Sequence, residues 1–172
     1  MTIQPTDFKL FGSDALKAAF RRHASGVAII TSVSESGEPI GFTATSVTSL
    51  GSNPPLVSFN IAQGSSSYEH LLPGVKAAIH VLKAENLGLA QRLAGPKAER
   101  FREGGFSWVH GVPVFTEAAA IIIGSIRTRL EVASNAVVVL DIESGYENAE
   151  AEPLLYFRRG YLTTGERLAD NY

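Results

Sequence analysis

Short apolar segments rich in Val and Ile recur along this chain of 172 residues, and turn-forming residues separate them. The segments GVAIITSV (26–33), KAAIHVL (76–82) and AVVVLDI (136–142) are typical of strands buried in a sheet. About seven such strands with three brief helices predict a mostly β fold, a barrel-like sheet with flanking helices, rather than alternating strands and helices. We expect one domain over residues 1–172, because no linker or repeat interrupts the pattern.

Turn residues and spacing place the individual elements. Ser13-Asp14 predicts the start of an amphipathic helix that ends before Gly26 and presents Leu16, Ala19, Phe20 and His23 on one face. Further helices are expected after the serine triplet Ser65-Ser66-Ser67 and over 85–95. The predicted strands include hairpins of 26–33 with 39–47 and of 118–132 with 136–142, an alternating strand over 56–61, and a last strand over 153–162. The closing segment GERLADNY is expected to be loose or to contact a partner subunit.

The composition excludes several classes of function. A formal net charge of -2 provides no basic surface for nucleic acid or for an anionic membrane. The absence of Cys excludes disulfides and thiolate chemistry, and the four histidines lack metal-binding spacing, so we expect no metal. The sequence has no long apolar run and no signal-peptide pattern, so we expect a cytoplasmic protein that is not membrane-bound.

The stretch from 41 to 67 contains ten Ser and Thr residues and no Asp, Glu, Lys or Arg. Ser and Thr suit turns and exposed strand faces, which is the simpler interpretation. However, a solvated strand face of this length normally carries long charged side chains. A planar, polar, largely uncharged ligand that lies against hydroxyls and main-chain amides explains both features.

The serine triplet and Arg100 are candidate ligands for a phosphate. One serine is enough to cap a helix, whereas three in succession at a helix start also offer hydroxyls and free N–H groups to an anion. Arg100 can grip two phosphate oxygens if its loop returns to this site; otherwise it is a solvated charge. His23 is expected to be a packed or capping histidine. Because no catalytic triad, carboxylate pair or Gly-rich nucleotide loop is present, a bound cofactor would carry any redox chemistry.

These residues support a resemblance to a known family. The chain resembles the flavin reductase-like, FMN-binding split-barrel family, the small reductase components of two-component flavin-dependent monooxygenases. The likeness extends from about Ala18 to Thr164. The motifs that carry it, in order, are FRRHASGVAIITS, GFTATSVTSLGSNPPLVSFNI, SSSYEHL, AIHVLKAENLGLAQRLA, ERF, GVPV and PLLYFRRGYL.

The resemblance implies a homodimer of six-stranded Greek-key split barrels that binds FMN or FAD near the subunit interface. It implies an NAD(P)H:flavin oxidoreductase that passes hydride from NADH or NADPH to the flavin and supplies reduced flavin to a partner monooxygenase. The serines and Arg100 would meet the phosphate. In full, the resemblance assigns to the flavin Thr45, Ser46, Val47, Thr48, Ser49, Phe59, Asn60, Ser65, Ser66, Ser67, Arg100 and Phe101.

One departure from the family pattern concerns the nicotinamide. Many relatives have Gly-Asp-His where this chain has Ala133-Ser134-Asn135, and Asn135 cannot titrate. The resemblance assigns Asn135, Tyr156, Phe157 and Arg158 to the nicotinamide and assigns no catalytic acid or base. Two alternatives stay open at this point: an FMN-binding flavoprotein of the same fold that does not use NAD(P)H, and an oligonucleotide-binding β-barrel, which the charge disfavours.

Overall fold

Most of the strands pair into one antiparallel sheet, which positions the candidate site. A computed structural model describes residues 3–148 and 151–165 of the chain. The α-helices within those residues are α1 (Gly12–Phe20) and α2 (Leu87–Ala94). The strands are β1 (Ser25–Gly26), β2 (Ala28–Val33), β3 (Pro39–Ala44), β4 (Thr48–Ser52), β5 (Pro55–Ala62), β6 (Lys76–Val81), β7 (Ser107–Val109), β8 (Val112–Val114), β9 (Ala120–Val132), β10 (Asn135–Glu147), β11 (Leu155–Phe157) and β12 (Gly160–Leu162).

The main sheet has the order β3-β2-β6-β9-β10-β5-β4 and curls until β3 approaches β5. Four strands separate β3 from β5 in that order, yet the ring centroids of Phe42 and Phe59 are 5.9 Å apart. Beyond β3, Ser46 Oγ accepts a hydrogen bond of 2.9 Å from the backbone N–H of Asn60. The pairing of β4 with β5 ends at Ser58, so no residue of β4 pairs with Asn60. The Ser46 hydroxyl bonds the Asn60 backbone there instead. The resulting cleft is where the barrel is split.

Two hydrophobic cores pack against the two faces of the sheet. Ile30, Phe59 and Val138 belong to the core inside the curl. Ile29 and Phe115 belong to an outer core, which α2 and the short hairpin of β7 and β8 cover. Because β2 faces both cores, its sequence is apolar at nearly every position instead of alternating.

A histidine completes the outer core. His80 is fully buried, its Nδ1–H donates to the carbonyl of Ile29 at 3.1 Å, and its Nε2 accepts the N–H of Phe115 at 3.1 Å. These partners require the neutral ring, and burial lowers the pKa of His80 to about 4. His80 therefore links β6 to β2 and to the segment after β8.

The mostly β fold with flanking helices is confirmed, and so are both predicted hairpins and the helix that contains α2. Three local expectations were wrong. The first helix ends at Phe20, and its expected face is exposed, with Phe20 63% and Leu16 60% accessible. His23 is consequently exposed, and its ring contacts only that of Phe20 among the described aromatic pairs, edge-on with centroids 5.6 Å apart.

The other two corrections concern strand ends and a helix. The predicted strand over 153–162 is a hairpin of β11 and β12, because Arg158 and Arg159 adopt positive φ angles and reverse the chain. The serine triplet leads only into a single 3-10 turn, Tyr68–His70. The segment GERLADNY lies outside the described residues apart from Gly165.

Candidate functional site

Four adjoining cavities form a continuous trough that begins at the split in the barrel. We call them the barrel cavity (about 380 Å³), the loop cavity (about 560 Å³), the turn cavity (about 310 Å³) and the arginine cavity (about 480 Å³). Neighbouring cavities share lining residues. The barrel and loop cavities share Thr45, Ser46 and Asn60; the loop and turn cavities share Phe20, His23, Ser25 and Thr45; the turn and arginine cavities share Arg21, Arg158 and Arg159.

The bed of the trough consists of uncharged polar groups on irregular backbone. β3 ends at Ala44, and the three residues that follow cross the split before β4 begins. The Ser46 hydroxyl bonds both the N–H and the carbonyl of Asn60, at 2.9 and 3.4 Å. The hydroxyls of Thr45 and Thr48 make no hydrogen bond with a described residue, and both threonines are exposed. They are therefore available to a ligand.

One end of the trough holds a guanidinium group that the backbone fixes in place. Arg100 Nε donates to the carbonyl of Gly95 at 2.9 Å, and Nη1 donates to the carbonyl of Gly41 at 2.9 Å and to Ser66 Oγ at 3.5 Å. Partial burial lowers the pKa of Arg100, although a guanidinium remains charged throughout the physiological range. Ser65 lines the same cavity. A fixed cation with two adjacent hydroxyls suits a phosphate group.

The structure brings together most of the residues predicted to bind the flavin. The barrel cavity is lined by Thr45, Ser46, Asn60, Ser65 and Arg100. Val47 and Thr48 line the loop cavity, and Ser66 reaches the trough through its bond to Arg100.

Four of the predicted flavin residues do not line the trough. Ser49 lies on β4 opposite Val57. Phe59 is fully buried inside the barrel, and Ser67 is only 2% exposed. Phe101 packs in the outer core, where its ring stacks on Phe115 with centroids 6.0 Å apart.

Three of the four predicted nicotinamide residues line the trough, and one does not. Tyr156, Phe157 and Arg158 line the turn cavity. Asn135 lies elsewhere, on the opposite edge of β5, where it pairs with Ala62 and its amide donates to Ser134 Oγ at 3.4 Å. Asn135 therefore does not line the turn cavity with Tyr156, Phe157 and Arg158 of the same chain.

Sequence reasoning missed the contributions of α1 and of the β11–β12 turn to the trough. The helical spacing of Phe20 and His23 predicts a packing face for both. Arg21, Arg22 and Arg159 look like ordinary solvated charges in the sequence. Their proximity depends on the tertiary fold, so no local pattern could have identified it.

The trough has a marked electrostatic asymmetry relative to the whole chain. Its described lining residues include Lys17, Arg21, Arg22, Arg100, Arg158 and Arg159, but no Asp or Glu. The chain as a whole carries a formal charge of -2. The trough is therefore a positively charged channel in a weakly acidic protein, and it favours ligands that carry phosphate groups.

The described residues contain neither a metal-binding cluster nor a membrane-spanning helix. No group of three or more His, Cys, Asp or Glu residues in 3–148 and 151–165 is arranged to hold a metal ion. Among the helices described, none has the length and apolar character needed to cross a membrane.

A family model described as a flavin reductase like domain matches residues 20–165. A probable flavin reductase from Rhizobium meliloti (strain 1021) is 33% identical over 158 residues, which are 90% of this chain and 50% of that protein. This chain thus spans about half the length of that relative. An NADH:FMN oxidoreductase from Rhodococcus qingshengii is 37% identical over 152 residues, 84% of this chain and 78% of the relative.

A solved structure shares the fold over nearly its full length. The crystal structure of a flavin reductase domain protein from Arthrobacter sp. FB24 superimposes with a TM-score of 0.84 at 39% sequence identity. The match covers 92% of this chain and 98% of that chain.

Proposed function

The chain belongs to the flavin reductase like domain family, and from that premise we propose that it is an NAD(P)H-dependent flavin reductase. The observation that carries the proposal is the trough. It combines an uncharged hydroxyl bed at the split of the barrel with a fixed guanidinium at one end and a second, aromatic-lined cavity beside it. Two planar ligands with phosphate tails need such an arrangement.

The chemistry of the donor groups fits a flavin mononucleotide. Thr45, Thr48 and the Asn60 amide offer neutral donors and acceptors to the ring carbonyls and nitrogens and to the ribityl hydroxyls. Ser65, Ser66 and Arg100 would hold the phosphate. FMN suffices to satisfy these groups, and FAD would extend beyond them.

Bound flavin and reduced nicotinamide supply the redox chemistry, in which a hydride passes between the two rings. The protein's residues contribute position and the exclusion of water. Phe20, Tyr156 and Phe157 provide apolar surface beside the bed, and Tyr156 is held by an edge-on contact with Tyr161 at 5.2 Å. No residue of the trough is needed as an acid or base, which agrees with the lack of a catalytic dyad there.

A second candidate function is a flavoprotein that does not use NAD(P)H. Asn135 favours it, because an amide replaces the histidine of many relatives and lies outside the trough of this chain. We rank this candidate second because the turn cavity adjoins the flavin bed without any contribution from Asn135.

We also propose that the protein is a homodimer and delivers reduced flavin to a monooxygenase. The exposed apolar residues Phe11 and Leu16 on and beside α1 support the first proposal, because a second subunit would cover them. The second draws on a relative named as the reductase component of a flavin-dependent trigonelline monooxygenase from Acinetobacter baylyi, 26% identical over 158 residues. The cytoplasmic location and the single-domain organisation stay predictions.

Anaerobic mixing of the protein with FMN and then with NADH or NADPH tests the proposed function. We expect rapid, protein-dependent loss of the visible flavin absorption with at least one nucleotide. Flavin that binds but stays oxidised with both would establish the second candidate. An absence of flavin binding would contradict both.

A further inference from the structure

We propose that a phosphate-binding site makes the protein prefer NADPH over NADH. The site consists of Arg21, Arg22, Arg158 and Arg159. We call these residues the arginine cluster. The inference rests on the proposed function, and it specifies which electron donor the reductase uses.

The arginine cluster lies at the far end of the trough from Arg100. All four arginines line the arginine cavity, and three of them also line the turn cavity with Tyr156 and Phe157. A nucleotide whose nicotinamide lies beside the flavin bed therefore has a direct route for its phosphates to this end. Arg158 is steadied by its guanidinium lying 5.1 Å from the centroid of the Phe157 ring.

The charge of the arginine cluster is not neutralised by the described part of the protein. None of the four guanidinium groups makes a salt bridge or a hydrogen bond with a residue in 3–148 or 151–165. By contrast, Arg92, Arg102, Arg127 and Arg129 all pair with carboxylates. Four like charges beside one cavity repel one another, so the arrangement is stabilised when an anion binds.

The amount of charge distinguishes the two nucleotides. The pyrophosphate that NADH and NADPH share carries about two negative charges, and the additional phosphomonoester of NADPH adds about 1.5 to 2 more. A cluster of four guanidinium groups exceeds what the pyrophosphate alone can neutralise, and it matches the combined charge of NADPH. Guanidinium groups also bind phosphomonoesters through two parallel hydrogen bonds.

The backbone of the β11–β12 turn supports a role in binding. Arg158 and Arg159 have φ angles of 51° and 67°, and two-residue turns of this kind favour Asn and Gly. Arg in this conformation is strained, because its Cβ approaches the following carbonyl oxygen too closely. Backbone strain of this kind concentrates at functional sites, where side-chain chemistry outweighs the loss of stability.

The first test measures phosphate binding without flavin, by calorimetric titration of adenosine 2′,5′-bisphosphate, ADP and 5′-AMP. We expect the 2′,5′-bisphosphate to bind about tenfold more tightly than 5′-AMP or ADP, the difference that one charge-assisted phosphate contact provides. The double variant Arg22→Gln/Arg159→Gln should reduce that difference to about threefold or less. The control Arg102→Gln/Arg127→Gln removes the same charge elsewhere and should leave the difference intact.

Equal binding of the three nucleotides by the wild type, or equal losses in the two double variants, would overturn the inference. Binding of ADP as tight as that of the 2′,5′-bisphosphate would also overturn it. The cluster would then recognise the pyrophosphate, which NADH and NADPH share.

The variant Arg159→Gly separates binding from stability. Gly adopts a φ of 67° without strain, so we expect no loss of thermal stability together with weaker binding of the 2′,5′-bisphosphate. A binding constant equal to that of the wild type would contradict a role for Arg159.

Steady-state flavin reduction then separates the two proposals. We expect kcat/KM for NADPH to exceed that for NADH by about tenfold, and the Arg22→Gln/Arg159→Gln variant to lose this preference chiefly through KM for NADPH. Flavin reduction without any NADPH preference overturns the inference alone. Failure of both nucleotides to reduce flavin, with selective 2′,5′-bisphosphate binding intact, overturns the proposed function alone.

Discussion

The two ends of the trough present positive charge in opposite ways. At one end Arg100 is partly buried, and two backbone carbonyls hold its guanidinium. At the other end the arginine cluster is exposed and makes no ion pair with described residues. A single fixed cation selects one phosphate in one position, whereas several exposed cations attract charge over a wider area. We therefore expect the first end to determine flavin affinity and the second to determine nucleotide choice.

Removal of Arg100 should have the largest effect. We expect Arg100→Gln to weaken FMN binding by about 10- to 100-fold, because a charged hydrogen-bond donor is lost from a partly desolvated site. Riboflavin, which lacks the phosphate, should lose much less. Titration of the two flavins by fluorescence quenching measures both constants.

The matched control is Arg100→Lys, which keeps the charge but not the two-carbonyl anchorage, and it should fall between the wild type and Arg100→Gln. If FMN and riboflavin lost equal affinity in Arg100→Gln, Arg100 would have only a structural role.

Acidification should destabilise the outer core that packs beside Arg100. We call the Arg100 end of the trough the fixed end. His80 stays neutral in the folded protein down to about pH 4, whereas in the unfolded chain it titrates near 6.5. Between these values the unfolded state binds the additional proton, so this residue lowers the free energy of unfolding by about 1.4 kcal/mol per unit fall in pH. Its partner Phe115 stacks on Phe101, which adjoins Arg100 in sequence.

Urea unfolding at several pH values between about 7 and 4.5 measures the slope. We expect His80→Gln to show a shallower slope than the wild type. Equal slopes in the two proteins would contradict the assignment of a neutral, buried His80.

Substitutions in the serine triplet should weaken FMN binding less than loss of Arg100 does, and only at two of the three positions. Ser65→Ala and Ser66→Ala should each weaken FMN binding by about three- to tenfold, the range expected for loss of one hydrogen bond to a charged group. Ser67→Ala should leave binding unchanged, because Ser67 is buried away from the trough. A loss of FMN affinity confined to Ser67→Ala would show that the phosphate lies elsewhere.

The smallest expected effect is that of salt, which should weaken ligand binding at the two ends to different extents. Exposed charges are screened more strongly than buried ones, so a rise from about 50 mM to about 500 mM NaCl should weaken adenosine 2′,5′-bisphosphate binding several-fold. FMN binding should weaken less over the same range. Equal salt dependence of the two ligands would remove the distinction between a fixed and an exposed end.

The residues at the Arg100 end of the trough could be predicted from the sequence, whereas most of the arginine cluster at the other end could not. The hydroxyl-rich segment and the serine triplet are continuous in sequence, and their lack of charge distinguishes them from ordinary strand faces. Arg100 joins them through a resemblance to family motifs. The resemblance assigns Arg158 to the nicotinamide, but Arg21, Arg22 and Arg159 look like ordinary solvated charges in the sequence. The two pairs of the arginine cluster, 21–22 and 158–159, lie more than 130 residues apart.

Burial explains the remaining differences between prediction and structure. Phe59 alternates as a strand residue should, but the alternation alone does not indicate that its face lies inside the curled sheet instead of beneath a ligand. Phe20 was expected on a packing face, and this chain provides nothing in its described residues to cover it fully.

The most direct test of two independent anion-binding ends is a titration of adenosine 2′,5′-bisphosphate into the protein with and without saturating FMN. Two separate ends predict the same dissociation constant within about twofold in both titrations, and FMN fluorescence that stays quenched throughout. Displacement of FMN by the bisphosphate, or a tenfold weaker constant in its presence, would show that both phosphates compete for one site and would contradict the account.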